Sequence, residues 1–277
     1  MSRHQSIQLG DLNGMKKKLR AVSKALTGVA ALVLVVAACG KEEARAVEVV
    51  EMKYPELQMI SSQGTTYLKE VAQEKMLPRG SAMLTESGNL KDKNITAIIH
   101  AASGSMTNRD EAFRPSEEGV KQSISNSIIL AKRFKHSRIA IPFVGGGIFR
   151  SYMKASAEEL ASIIIHAAVE SRDQLEVRFV MINDHDFGVF QKELAKLTAN
   201  PKFQSIGTAV KVVKGSLTEF SDHGATAIVN GANMEVTFGG GISGAIANAV
   251  GKDRIKIDSY AREKIAEFNE KLLKVLN

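Results

Sequence analysis

Hydrophobic positions along the chain alternate between two rhythms. From Thr65 to Lys75, with Leu68, Val71, Ala72 and Met76 on one stripe, the spacing predicts an amphipathic helix that Pro78-Arg79-Gly80 stops. Ile95 to His100 is a continuous β-rich run, as expected of a strand buried on both faces. Glu117 to Phe134 returns to the helical period, with Val120, Ile124, Ile128 and either Leu130 or Ala131 on one side. Arg138 to Phe143 then reads as a buried strand running straight into Gly145-Gly146-Gly147. A helix over Glu158–Ser171, a strand over Glu176–Ile182 and a helix over Phe187–Leu197 follow.

After Asn200-Pro201 the pattern restarts. Strands are predicted at Ala209–Val213 and Ala225–Asn230, then a second glycine segment, Gly239-Gly240-Gly241, a helix over Ile242–Val250 and a charged amphipathic helix over Asp258–Leu276. Strands alternating with helices predict an α/β fold of three layers, α/β/α, around a mixed, mainly parallel sheet. Such sheets take ligands at the carboxyl ends of their strands, where both glycine segments fall.

Composition narrows the partners. With 277 residues, 44% of them apolar, the chain can fill the core of one α/β domain and still carry a tail. Trp is absent and aromatics make up 5%, which argues against a surface that stacks bases, and no nucleic-acid partner is expected. Most of the formal charge of +7 sits in the first 38 residues, where six Lys and Arg face a single acid, Asp11. That segment has the layout of a secretory leader: a basic run from Lys16, an apolar stretch from Ala25 to Val36, then Ala37-Ala38 before the only cysteine, Cys39. The apolar stretch is short of the roughly 20 residues that span a bilayer, so cleavage fits it better than an uncleaved anchor helix. Residues 1–38 are therefore expected to be a signal peptide, 39–62 a tether and 63–277 the folded domain.

Glycines after a strand allow close backbone approach to a phosphate, and the free N–H groups at the next helix start supply donors. Two such segments on one sheet suit a diphosphate, although either alone is as readily a tight turn. Neither matches the phosphate-binding loop that ends in Gly-Lys-Ser/Thr, nor the dinucleotide fingerprint with its acid about 20 residues on. No metal-ligand spacing occurs, and no cofactor is expected. His100 and His166 sit in apolar runs that suit core histidines, and the charged face from Arg262 to Lys274 suits solvent.

Longer stretches carry a resemblance. Lys211-Val212-Val213-Lys214-Gly215-Ser216-Leu217-Thr218, Ala227-Ile228-Val229-Asn230-Gly231-Ala232-Asn233 and Gly239-Gly240-Gly241-Ile242-Ser243-Gly244-Ala245-Ile246 together resemble the N-terminal half of a macrodomain, the ADP-ribose-binding module. The family's C-terminal half is similar to earlier residues: Pro78 to Leu90 with Ala97-Ile98-Ile99-His100-Ala101, then Ile139 to Phe149, then Val177 to Phe187. The resemblance thus implies a circularly permuted macrodomain with a new linker at Thr198–Thr208. Two incomplete macrodomains in tandem are the alternative.

The resemblance also assigns roles in the site. It gives Asn233 to the distal ribose, Gly240 and Gly241 to the loop along that ribose and the diphosphate, and Gly145, Gly146, Gly147 and Ile148 to the diphosphate cradle, with Val144, Ser216, Gly239, Ile242 and Ser243 expected beside them at the ligand. Phe149 falls beside the distal ribose, Ile182 or Asn183 flanks adenine, and the Leu217 N–H serves the ring. Two departures stand out. Ser216 replaces the usual acid that binds the adenine amino group, and Ser243 replaces the acid of one hydrolytic class. Cys39 resembles the acylated cysteine of bacterial lipoproteins, which implies a lipid-anchored protein of the bacterial envelope, outside the cytoplasm. The expected activity is binding of ADP-ribose or a related nucleoside diphosphate. An ADP-ribosyl or O-acetyl-ADP-ribose hydrolase and a ligand-free structural envelope protein are the alternatives.

Overall fold

The computed structural model describes residues 30–37, 46–106 and 111–277. Strands β1 (Ala30–Ala37), β2 (Ala46–Tyr54), β3 (Leu57–Ser61), β4 (Ala82–Glu86), β5 (Ala97–Ala102), β6 (Arg138–Ile141), β7 (Glu176–Met181), β8 (Val210–Lys214) and β9 (Ala227–Ala232) form one sheet in the order β1-β2-β3-β4-β5-β9-β6-β7-β8. From β5 through β9, β6 and β7 to β8 every pairing is parallel, and from β1 to β5 every pairing is antiparallel. The two segments that restart the pattern, β8 and β9, thus share a sheet with β5, β6 and β7. Two separate half-sheets, as a tandem arrangement requires, do not occur among the described residues.

Helices cover both faces. Helices α1 (Thr65–Gln73), α2 (Glu117–Arg133), α3 (Ala157–Ser171), α4 (Asp184–Ala199), α5 (Phe220–His223), α6 (Gly241–Val250) and α7 (Arg254–Leu276) connect or follow the strands. Alternation along the strands sorts the core. Ile99, Ile139, Ile141, Phe179 and Val229 face α2, α3 and α4, whereas Ile98, Ala140, Val180 and Ile228 face α6 and the start of α7. Beneath the antiparallel strands, Met52, Leu57, Met59 and Met83 pack with α1 and α7. Local chemistry agrees with these boundaries. Ser156 caps α3 in a reciprocal box with Glu159, and Ser116 caps α2 by accepting the Gly119 N–H.

The amino-terminal region differs from expectation. Residues 46–61 are not a tether but a hairpin, β2 and β3 joined at Pro55-Glu56, whose Leu57 and Gln58 pair with Met83 and Ala82 of β4. Val50 and Met52 point inward while Glu51 and Lys53 point toward water, a period of two confined to a few residues beside a charged run. Ala30–Ala37, inside the expected leader, pairs along β2 as the edge strand. Cys39 and the basic run from Lys16 lie outside the described residues. No helix among the described residues is long and apolar enough to cross a membrane.

Arg133 ties the hairpin to the rest. At the end of α2, its guanidinium donates to the carbonyls of Tyr54 (2.8 Å) and Leu57 (3.1 Å) and to the Gln58 side chain. Replacing it leaves these acceptors without that donor, each worth about 1 to 3 kcal/mol where water cannot substitute. Arg133→Ala is expected to lower the unfolding midpoint and to speed hydrogen–deuterium exchange across residues 46–61 more than across β5–β9. Exchange that stays slow there would mean the hairpin is held by other contacts.

Candidate functional site

A cleft of about 920 Å³ opens at the carboxyl ends of β5, β9, β6 and β7, four neighbouring parallel strands. Its two long walls are the segments 143–149 after β6 and 231–243 after β9. Ser105 and Met106 close it at the β5 end, and Val180, Met181, Ile182 and Asp186 at the β7 end.

The first wall is a turn built from glycines with different duties. Val144 N–H donates to Pro142 O (2.8 Å) and Gly146 N–H to Phe143 O (3.0 Å), folding the chain back on itself. Gly145 takes φ +76°, open to few other residues, and a Cβ on Gly146 would lie 2.4 Å from the Phe143 ring. The ring itself is fixed edge-on against Phe190, which in turn meets Phe179 in the core. A short 3-10 turn, Ile148–Tyr152, comes next, with Gly147 before its first residue and no side chain capping it.

The second wall is braced from within. Asn233 Nδ2 donates to Thr237 Oγ1 (2.8 Å), and Thr237 N–H returns to Asn233 Oδ1 (3.0 Å). Gly239 N–H donates to Ser243 Oγ (3.0 Å). Ser243 therefore acts as a tie that shapes the glycine segment, its hydroxyl already engaged and the residue buried. Helix α6 starts at Gly241 without a side-chain cap, so its first N–H groups face the cleft unpaired within the helix. They carry the positive end of the helix dipole. Among the described lining residues there is no Lys, Arg or His; the charged groups are Asp186 and Glu235.

The expected site residues divide. Asn233, Gly239, Gly240, Gly241, Ile242, Ser243, Val144, Gly145, Gly146, Gly147, Ile148 and Phe149 line this one cleft. Three do not. Asn183 caps α4 by accepting the Asp186 N–H (2.8 Å), beside rather than on the lining. Leu217 is buried in the core, and its carbonyl is 3.1 Å from His223 Nε2. Ser216 N–H donates to Asp222 Oδ2 (2.7 Å), so a carboxylate does stand at this turn, delivered by α5.

Glu235, Thr237, Phe143, Ser105 and Met106 also line the cleft, and no sequence motif singles them out. A signal for two of them is present. From Asn233 to Phe238 polar and apolar residues alternate, and Met234, Val236 and Phe238 are buried while Asn233, Glu235 and Thr237 face the cleft. A glycine-bounded segment hides that period of two.

Behind the second wall lies a buried polar chain. Asn230 Nδ2 donates to His100 Nδ1 (3.2 Å), and His100 Nε2 donates to Thr85 Oγ1 (2.9 Å), which passes its own proton toward the Glu86 carbonyl. The His100 ring also packs edge-on against Phe238, the residue before the glycines. Burial pushes the His100 pKa down to about 3, so the ring is neutral in the folded protein. Comparison with known proteins points the same way as this geometry. Residues 58–161 match the Macro domain family, ending before β8, β9 and the second glycine segment. A stretch of 124 residues is 28% identical to a macro domain-containing protein of Caldanaerobacter subterraneus subsp. tengcongensis, covering 43% of this chain and 65% of that protein. The chain thus spans just under two thirds of that relative.

The His100 shift fixes a pH dependence. Its folded pKa lies below the unfolded value, so the unfolded chain binds the extra proton and stability is lost as pH falls from about 6.5 toward 3. The loss is at most about 1.4 kcal/mol per pH unit. Wild-type stability minus that of His100→Gln is expected to be constant above pH 6.5 and to fall steadily below it. A difference that is flat down to pH 4 would show that His100 is charged or exposed in the fold.

Proposed function

Because residues 58–161 match the Macro domain family and the cleft lies at the strand ends of one parallel sheet, we propose that this cleft binds ADP-ribose or a related nucleoside diphosphate, the diphosphate held by backbone N–H groups of the two glycine segments. The observation that carries this reading is the backbone at Gly239 and Gly240. A Cβ at either would meet nothing within 4 Å, and Gly240, at φ −86° and ψ −173°, has a conformation any residue adopts. Neither packing nor strain calls for glycine there, whereas a ligand lying against the loop does. Binding is favoured over turnover because Ser243, at the place of an acid in one hydrolytic class, offers a hydroxyl that cannot serve as a carboxylate base, and it accepts the Gly239 N–H as part of the loop.

Chain order supports a permuted domain. β9 inserts between β5 and β6 although it comes after both in sequence, and residues 201–209, short 3-10 turns, join α4 to β8. Permutation leaves a sheet and its contacts intact when the original ends lie close together. The lipid anchor at Cys39 rests on the sequence before it, and it competes with the pairing of Ala30–Ala37 along β2, since cleavage before Cys39 removes that strand. The mass of the mature amino terminus, with Cys39→Ala beside it, separates the two. A diacylated terminus at residue 39, lost in the variant, is expected. An intact leader in the membrane-free fraction would contradict the anchor.

Titration calorimetry tests the binding. Wild type is expected to bind ADP-ribose far more tightly than inorganic phosphate, and Gly240→Val to abolish that binding with an unchanged melting temperature, because its side chain occupies only cleft volume. ADP-ribose bound no better than phosphate would end the reading.

A further inference from the structure

We propose that Glu235 sets the selectivity of the cleft: its carboxylate reserves the β5 end for an uncharged, hydroxyl-bearing group and excludes a phosphate there. The cleft then takes nucleoside diphosphate sugars and rejects nucleoside triphosphates. This rests on the binding reading above and adds to it the residue that decides which group can lie beyond the diphosphate.

Strands lie about 4.8 Å apart, so a cleft across β5, β9, β6 and β7 is about 14 Å long. The two glycine segments occupy its middle, after β9 and β6, which leaves one group of the ligand at each end. At the β7 end Ile182 is 76% exposed and offers an apolar platform, and Asp186 there is held by the Asn183 amide at 2.7 Å. At the β5 end stands Glu235.

Glu235 is held in place from three sides. Met234 and Val236 before and after it are buried, at 0% and 1% exposure. Val236 takes φ +56°, a left-handed conformation that is strained for a β-branched residue and that only surrounding structure can enforce. The third hold is Ser105. It is buried, its N–H is fixed to Phe113 O (2.7 Å), and its hydroxyl lies 3.2 and 3.4 Å from the two Glu235 oxygens. The strained turn thus keeps a carboxylate at the β5 end of the cleft, beyond the N–H donors of the glycine segments, while the second lining carboxylate, Asp186, lies at the β7 end. No cationic side chain among the described lining residues offsets it.

Such a group discriminates by charge. Sugar hydroxyls donate to a carboxylate in charge-assisted hydrogen bonds, whereas a phosphate brings like charge within a few ångströms in a partly dehydrated cleft. Repulsion at that distance is worth roughly ten- to a hundredfold in affinity.

The test is calorimetric titration of wild type, Glu235→Gln and Glu235→Asp with ADP-ribose and with ATP. Wild type and Glu235→Asp are expected to prefer ADP-ribose strongly. Glu235→Gln, of equal size and with an unchanged melting temperature, is expected to narrow the preference roughly tenfold or more, chiefly by gaining ATP affinity. A preference unchanged in Glu235→Gln, or both ligands weakened alike, overturns the role of Glu235 and leaves the binding reading standing. Wild type that binds neither nucleotide overturns both.

Discussion

The insertion of β9 between β5 and β6 is the constraint on which the site depends. Ala97 through Ala102 pair in register with Ala227 through Ala232, and Ile139 and Ala140 take the other edge of β9. Because all three strands are parallel, their carboxyl ends emerge on one side. The glycine segments after β6 and β9 are therefore neighbours, although almost a hundred positions separate them along the chain. Burial of Ile98, Ile99, Val229 and Ile228 on the two faces holds that register, since a slip by one residue would send each of them to the wrong layer.

The cleft gains its character from what this arrangement leaves out. In the proposed binding mode, backbone donors and a helix start supply the attraction for an anion, since no Lys or Arg stands among the described lining residues. A backbone site is rigid and poorly discriminating by itself. Discrimination then falls to the few side chains at its ends, Glu235 with Ser105 on one side and Ile182 on the other. The buried Thr85–His100–Asn230 chain lies behind this wall: His100 is neutral, bonded to Thr85 on one side and Asn230 on the other, and packed on Phe238, the residue before the glycine segment.

Much of this was legible in the sequence, and the exceptions have physical reasons. Long apolar periods such as those of Glu117–Arg133 or Arg138–Ile141 read correctly because burial on one or both faces imposes them. The glycine segments and Asn233 were legible as neighbours because each follows a strand of one parallel sheet, and the structure brings them to the same cleft. The β2–β3 hairpin was not, since β2 is a short alternation that follows a charged run, and the buried positions of β3 include the polar Gln58 and Ser61, which break an apolar reading. Glu235 escaped for a related reason: a single polar residue in a strand-like alternation carries no motif, and only the fold reveals that it faces the cleft. Ser216 and Leu217 were expected at the ligand, yet the turn that carries them is closed by Asp222 and His223.

The central claim is that the backbone N–H groups of both glycine segments grip one ligand. The most direct measurement is a two-dimensional nitrogen–proton spectrum of labelled protein titrated with ADP-ribose. The account predicts that the largest shifts fall on the amides of Gly147 and Ile148 and of Gly240–Ser243 together, saturating along one binding curve. Shifts confined to one segment, or centred on residues away from the ends of β6 and β9, would contradict it.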